Sequence, residues 1–98
     1  MGRKVILSPR AIEDLEAIVR YIAEDSPSRA RSFGDALVAR TKLLADYPEA
    51  GRIVPEYHEP AAREVIHGAY RIVYRLSADG ATIEVSRFWH AKRGTPER

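Results

Sequence analysis

Tyr70-Arg71-Ile72-Val73-Tyr74-Arg75-Leu76 decides the fold, because its side chains alternate with the period of two that a strand requires. Tyr70, Ile72, Tyr74 and Leu76 project to one face, and Arg71, Val73 and Arg75 to the other. One face is therefore apolar and the other cationic. Further along, Thr82 to His90 begins the same way, with Ile83 and Val85 facing one side and Thr82, Glu84 and Ser86 the other. Arg87-Phe88-Trp89-His90 then breaks the alternation, which predicts a strand end, a bulge or a surface built for a partner. Ser77-Ala78-Asp79-Gly80-Ala81 lies between the two runs and carries the Asp-Gly pair that supplies positive φ in a hairpin turn. The two strands are thus antiparallel. Arg63-Glu64-Val65-Ile66-His67, with Gly68-Ala69 as a turn, adds a third strand to the meander.

Upstream the period becomes helical. Ser8-Pro9 is a start signal, since serine caps free backbone N–H groups and proline suits the first helical position. Ile12, Leu15, Ile18, Val19 and Ile22 recur at three- and four-residue steps, and the acids Glu13, Asp14 and Glu16 sit near the positive end of the helix dipole. A helix over Pro9–Glu24 is predicted. Ser26-Pro27 repeats the device, and Ala30, Phe33, Leu37, Leu44 and Ala45 mark a second apolar stripe ending before Pro48. So short a connection makes the two helices an antiparallel hairpin whose stripes are core packing. Gly34 costs about 1 kcal/mol against alanine inside a helix, so a close approach of the two helices is expected there. Lys4-Val5-Ile6-Leu7 reads as a short strand. The resulting order, βααβββ, is α+β: an antiparallel sheet with a helical hairpin on one face and nothing left to cover the other.

The 98 residues, 45% of them hydrophobic, make a single domain over residues 1–98. A chain of this size buries roughly 65% of its unfolded surface. Residues 93–98 read as a flexible tail. Without cysteine there is neither a disulfide framework nor a thiolate metal site. The opening Met1-Gly2-Arg3-Lys4-Val5 lacks the apolar stretch of a secretory signal, and no run is long enough for a membrane. A cytoplasmic location is expected.

Sixteen basic and 14 acidic side chains leave a formal net charge of +2, too small to indicate nucleic-acid binding by itself. Placement says more. Arg87, Lys92, Arg93 and Arg98 face only Glu97 in the last segment, and Arg63, Arg71 and Arg75 belong to neighbouring strands. Such a patch binds phosphate or an acidic protein surface, or is simply a solvated sheet face. His58 and His67 are isolated, nothing has metal-ligand spacing, and neither a metal nor a cofactor is expected. His90 can serve as acid or base, but without a well-placed partner it reads as a cap at a strand end beside Trp89 and Lys92. Tyr70 and Tyr74 fall on the helix-facing side and read as core aromatics with exposed hydroxyls rather than as RNA-stacking platforms. Trp89, at a sheet margin, is the candidate interface anchor.

The ordered set of words resembles the RelE/ParE toxin superfamily of bacterial toxin–antitoxin systems over nearly the whole chain. Leu7-Ser8-Pro9-Arg10-Ala11, Asp14-Leu15 and Ile18-Val19-Arg20-Tyr21-Ile22 are similar to the opening of ParE-like toxins. Pro48-Glu49-Ala50-Gly51-Arg52, Arg63-Glu64 and Tyr70 to Arg75 resemble the family's middle, and His90-Ala91-Lys92-Arg93 its end. The resemblance implies one of two activities: ParE-like members poison DNA gyrase by binding it, whereas RelE-like members cleave messenger RNA in the ribosome. In-line attack by a ribose 2′-hydroxyl needs a base, cations on the phosphorane charge and an acid for the leaving oxygen. The RelE pattern of lysines before the second strand and a C-terminal tyrosine is missing, since only Glu56, His58 and Glu59 lie there and Gly94-Thr95-Pro96-Glu97-Arg98 ends the chain. A second ribonuclease-like branch uses a loop glutamate, a strand arginine and a histidine, roles that Glu56, Arg71 and His90 match loosely.

The ParE-like reading makes Arg63, Arg71, Arg75, Arg87, Trp89, His90, Lys92 and Arg93 the target-binding set. The resemblance further implies a cognate antitoxin whose flexible segment fills apolar grooves along the helices, with Leu15, Ile18, Ile22, Phe33 and Leu37 as expected contacts. Operator DNA would be reached only through that antitoxin. Ribosome-dependent cleavage, or an inactive relative that only binds an antitoxin, are the alternatives.

Overall fold

Two serines start the two helices of this computed structural model, which describes residues 2–98. After β1 (Lys4–Leu7), the Ser8 hydroxyl accepts from the Ala11 amide at 3.0 Å and opens α1 (Pro9–Ala23), with Glu24 as its C-terminal cap. Ser26 does the same for Arg29 at 3.2 Å and opens α2 (Pro27–Leu43). The expected close approach is present: a Cβ on Gly34 would stand 3.0 Å from Cγ2 of Val19.

Beyond the helices run β2 (Arg52–Ile53), β3 (Ala62–His67), β4 (Tyr70–Leu76), β5 (Thr82–His90) and a 3₁₀ turn over Ala91–Arg93. The sheet order is β1-β5-β4-β3-β2. β3, β4 and β5 form the antiparallel meander, and Gly68 (φ 58°) and Gly80 (φ 74°) supply the positive φ of its two turns. The expectation of a wholly antiparallel sheet needs correction: β1 runs parallel to β5, with Lys4 opposite Thr82 and Leu7 opposite Val85. The two-residue β2, too short to be seen as a periodic run, inserts one further reversal of the chain, so β5 arrives pointing the same way as β1.

The break at Arg87 is a bulge. Val73 pairs with Arg87 but Tyr74 with Val85, which leaves Ser86 as the extra residue. Its hydroxyl donates to the Val73 carbonyl at 3.2 Å. The shift keeps Val85 and Phe88 on the helix side while Arg87 and Trp89 join Arg71 on the other, so the bulge decides which face carries the charges.

On the helix side the core is built from Ala11, Ile18, Leu37, Leu44, Val65, Ile72, Tyr74, Ile83, Val85 and Phe88, with Tyr70 packed against it. The expected exposed hydroxyl of Tyr74 needs correction: the residue is 1% exposed, and its hydroxyl donates to the Pro48 carbonyl at 2.8 Å while accepting from the Gly51 amide at 2.9 Å. Burial without loss of hydrogen bonds is what lets a phenol sit in a core.

The second face is not open. Val54 and Tyr57, from the segment after β2, make a smaller apolar cluster with Ala62 and Val73. The stretch 93–98, read from sequence as a flexible tail, is folded against the same face over residues 94–98, with Pro96 fully buried. Two irregular segments without periodicity supply the cover that secondary-structure counting could not find. Among the described residues no helix is long and apolar enough to cross a membrane.

Candidate functional site

Arg71, Arg75 and Arg87 share the second sheet face, as the alternation of β4 requires, yet each is already paired. Arg71 Nε donates to Glu64 Oε1 at 2.6 Å, and its two terminal nitrogens hold Glu56 at 2.7 and 2.9 Å. Glu64 spends its other oxygen on Arg52 at 2.7 Å. Arg75 pairs with Glu59 at 2.6 Å. Arg87 makes a two-pronged contact with Asp14 at 2.7 and 2.8 Å, and the same carboxylate accepts from the Phe88 amide at 3.1 Å where β1 no longer covers β5. The expected uncovered cationic surface is therefore corrected to a covered, charge-balanced one. Its neutralising acids come from α1, from the segment after β2 and from β3, at sequence separations from 7 residues for Glu64 and Arg71 to 73 for Asp14 and Arg87.

Mutual hydrogen bonding sets the protonation states. The Arg71 guanidinium pulls the Glu56 carboxyl down to about 2 from its ordinary 4.5. Glu56, followed by Glu64, in turn holds Arg71 above its usual range against the cost of burial. Glu59 is lowered by Arg75 in the same manner. A carboxyl lowered on folding contributes stability above its unfolded value and loses it as pH falls toward the folded one. The clasp of the 54–61 segment is thus expected to persist at pH 5 and release as pH falls from about 4.5 toward 2. Hydrogen exchange of residues 54–61 measured against pH checks this, and Glu56→Gln should remove the Glu56 share of that acid-dependent step while leaving the one that Glu59 contributes.

Trp89, expected as an exposed anchor, is 2% exposed. Its indole N–H donates to the Gly94 carbonyl at 3.1 Å, and the Arg93 guanidinium stacks 3.9 Å from the ring centre. The tail that covers the indole was the part of the sequence with no pattern.

His90 faces the other way. It pairs with Tyr70 across the strands, their rings edge-on at 5.1 Å, and its Nδ1 accepts from the Lys92 amide at 3.1 Å. It caps the 3₁₀ turn, as the plainer sequence reading held. Glu56 and Arg71 are brought together, but the sheet stands between them and His90, because consecutive residues Trp89 and His90 point to opposite faces.

Of the expected antitoxin contacts, Ile22 and Phe33 line a groove of about 640 Å³ with Arg29, Tyr70 and His90. Leu15 lines a second, of about 420 Å³, between the helices with Val19 and Gly34. Ile18 and Leu37 need correction: both are buried in the core, because the apolar stripe is wider than the groove it borders. Lys92 and Arg93 are exposed, and Arg63 is half-buried, donating to the Gly51 carbonyl at 2.7 Å. The residues that sequence reasoning missed are Asp14, Glu59, Glu64, Tyr57 and Pro96. Glu64 reaches the arginine face because it pairs with Val73, a register that alternation within its own strand does not show, since it places Glu64 on the side opposite to Arg63.

Residues 5–94 match the family described as the ParE toxin of type II toxin-antitoxin systems, parDE. Two curated relatives from Caulobacter vibrioides are similar along most of their length: Toxin RelE1 is 33% identical over 90 residues, 88% of this chain and 90% of that protein. Toxin RelE2 is 32% identical over 90 residues, 92% and 97% of the two chains. Among solved structures, the chromosomal ParDE system of P. aeruginosa superposes with a TM-score of 0.74 at 21% identity, covering 91% of this chain and 96% of the other. The RelBE2 toxin–antitoxin complex of Mycobacterium tuberculosis follows with a TM-score of 0.69 at 21% identity, covering 92% and 99%. A variant of the E. coli toxin RelE in the free state gives 0.68 at 15% identity, covering 96% and 88%. By this match over nearly its whole length, on a fold that the solved toxins share, the chain belongs to the ParE toxin family of type II toxin–antitoxin systems.

Proposed function

We propose that this toxin acts by binding, with DNA gyrase as its target, and is neutralised by a cognate antitoxin. The observation that carries the reading is the separation of Glu56 and Arg71 from His90 by the sheet, together with the pairing of Arg71, Arg75 and Arg87 on the second face with carboxylates. Glu56 and Arg71 therefore cannot act with His90 on one phosphate, as a base, a cation and an acid must for in-line attack by a 2′-hydroxyl. Contact with the target falls to the exposed end of β5 and its turn, through His90, Lys92 and Arg93. The antitoxin, by analogy with the ParDE system and the RelBE2 complex, occupies the apolar grooves at Leu15, Ile22 and Phe33. It also supplies the contact with operator DNA.

A supercoiling assay tests this. Purified protein should block gyrase and leave ribosome-programmed message intact, and full supercoiling at saturating protein would remove the gyrase reading. Reversing charge at Lys92 and Arg93 is expected to raise the half-inhibitory concentration about tenfold, or ~1.4 kcal/mol, a rim-charge effect. The naming of both curated relatives as RelE favours a second reading, ribosome-dependent cleavage of message. Primer extension on translated message would then show new 5′ ends that vanish in His90→Ala. Absence of growth arrest on induction without antitoxin would leave only an inactive antitoxin-binding relative.

A further inference from the structure

Residues 94–98 are held on the second sheet face through main-chain carbonyls and through the Arg98 guanidinium, which pairs with Glu59, donates to the Tyr57 carbonyl at 3.0 Å and stacks 4.3 Å from the Tyr57 ring centre. The Gly94 carbonyl accepts from both Arg71 Nη1 at 3.2 Å and Trp89 Nε1 at 3.1 Å. That of Pro96 accepts from the Tyr57 hydroxyl at 2.7 Å, and that of Glu97 from Arg87 Nη1 at 3.4 Å. The Pro96 ring is buried while Thr95 is exposed, the alternation of an extended peptide lying on a surface. Gly94 leaves the 3₁₀ turn at φ 78° with nothing within 4 Å of where a Cβ would stand, so its glycine serves the backbone bend and not a tight fit.

We propose that this face is a preformed groove for an extended peptide, shut in the free chain by its own last five residues, and that a protein partner enters by laying an extended segment in place of that strap. The donors are fixed independently of the strap: Arg71 by Glu56 and Glu64, and Arg87 by Asp14. Those same carboxylates argue against a polyanion. With each guanidinium neutralised, what the groove still offers is single N–H and O–H groups spaced for carbonyl oxygens, and a seat for one proline-sized apolar ring. The strap is displaceable because one buried ring, a few hydrogen bonds and the pair of Arg98, more than half exposed, with Glu59 oppose the entropy of ordering five residues. It competes at the effective concentration of a tethered segment, on the order of millimolar. The inference rests on the reading of this toxin as a binder only in making the entrant a protein, and its test uses neither gyrase nor message, so the two can fail separately.

Trp89 is the only tryptophan and lies under the strap, which makes it the reporter. In the full-length Pro96→Asp variant, acrylamide quenching of Trp89 is expected to rise several-fold and hydrogen exchange of residues 54–61 to quicken, with far-UV circular dichroism unchanged. A synthetic peptide of residues 94–98 added at millimolar concentration should restore protection. The same peptide with aspartate at the proline, and oligouridylate, should not. Tyr57→Phe, which deletes only the hydroxyl holding Pro96, should give an intermediate rise and provides the readout if Pro96→Asp does not fold. Unchanged quenching in the folded variants overturns the strap. Failure of the native peptide to restore protection, or restoration by oligouridylate instead, overturns the peptide groove.

Discussion

Replacing Glu64 by alanine should destabilise the fold by about 3 kcal/mol, the largest effect expected of any single charge removal here. The Glu64 side chain is wholly buried and its two oxygens are taken by Arg71 at 2.6 Å and Arg52 at 2.7 Å. Removing it leaves the Arg71 guanidinium, itself only 8% exposed, with Glu56 alone, and Glu56 is one-third exposed and on an irregular segment. Breaking a buried pair from one side costs far more than the pair contributes, because the surviving charge stays desolvated. Urea unfolding followed by Trp89 emission measures it, and on a domain whose total stability is of order 5–15 kcal/mol the shift in midpoint would be large. The double variant Glu64→Leu with Arg71→Leu separates the two accounts: a double that is more stable than Glu64→Ala assigns the loss to the orphaned charge, whereas additive losses would contradict this explanation. The outer pair Arg10–Glu97, more than half exposed at 3.3 Å, provides the contrast, and Glu97→Ala should fall within about 0.5 kcal/mol of the parent.

The same network explains where sequence reading stopped. Local rules sufficed for the helices, since Ser8-Pro9 and Ser26-Pro27 cap them as capping chemistry requires. They sufficed also for the meander, because period-two alternation and two glycine turns fix its register. What local rules could not supply was pairing between segments. Asp14 read as an acid near a helix dipole, but α1 has no acid in its first turn, and the Asp14 carboxylate instead closes the edge of β5 and neutralises Arg87, 73 residues away. Glu56 and Glu59 read as loop acids and prove to be the partners of Arg71 and Arg75. Arg71 and Arg75 were correctly placed on one face, whereas Arg63, opposite Tyr74, lies on the helix side, and the surroundings of the paired arginines were set by the irregular segments, where side-chain period carries no information. His90 shows the reverse: counting alternation on from Trp89 puts it across the sheet from Arg71, so the division of the three residues was legible once the bulge at Ser86 fixed the phase.

Gly51→Ala should cost about 2–3 kcal/mol, more than an added methyl group does at any glycine turn in the chain. An alanine Cβ would stand 2.5 Å from the Glu64 carbonyl oxygen and 2.7 Å from the Tyr74 hydroxyl. Neither can step aside cheaply. The carbonyl belongs to β3, paired through Arg52 opposite Glu64 and held on its far side by β4. The hydroxyl is buried, and moving it breaks the bond from the Gly51 amide at 2.9 Å or that to the Pro48 carbonyl at 2.8 Å. The chain must therefore either lose β2 or strip a buried phenol of a partner. Gly80→Ala is the matched control, since its φ of 74° strains the backbone by about 1–2 kcal/mol while nothing lies within 4 Å of the new carbon. If overpacking against Tyr74 is the cause, Tyr74→Phe should relieve part of the Gly51→Ala loss, a coupling that a purely conformational penalty would not show. A Gly51→Ala protein as stable as the parent would mean that β2 and the segment behind it are free to retreat. The segment carrying Glu56 and Tyr57 starts from β2, so a retreat there would also loosen the cover over Trp89, and indole quenching in the same variant would report it.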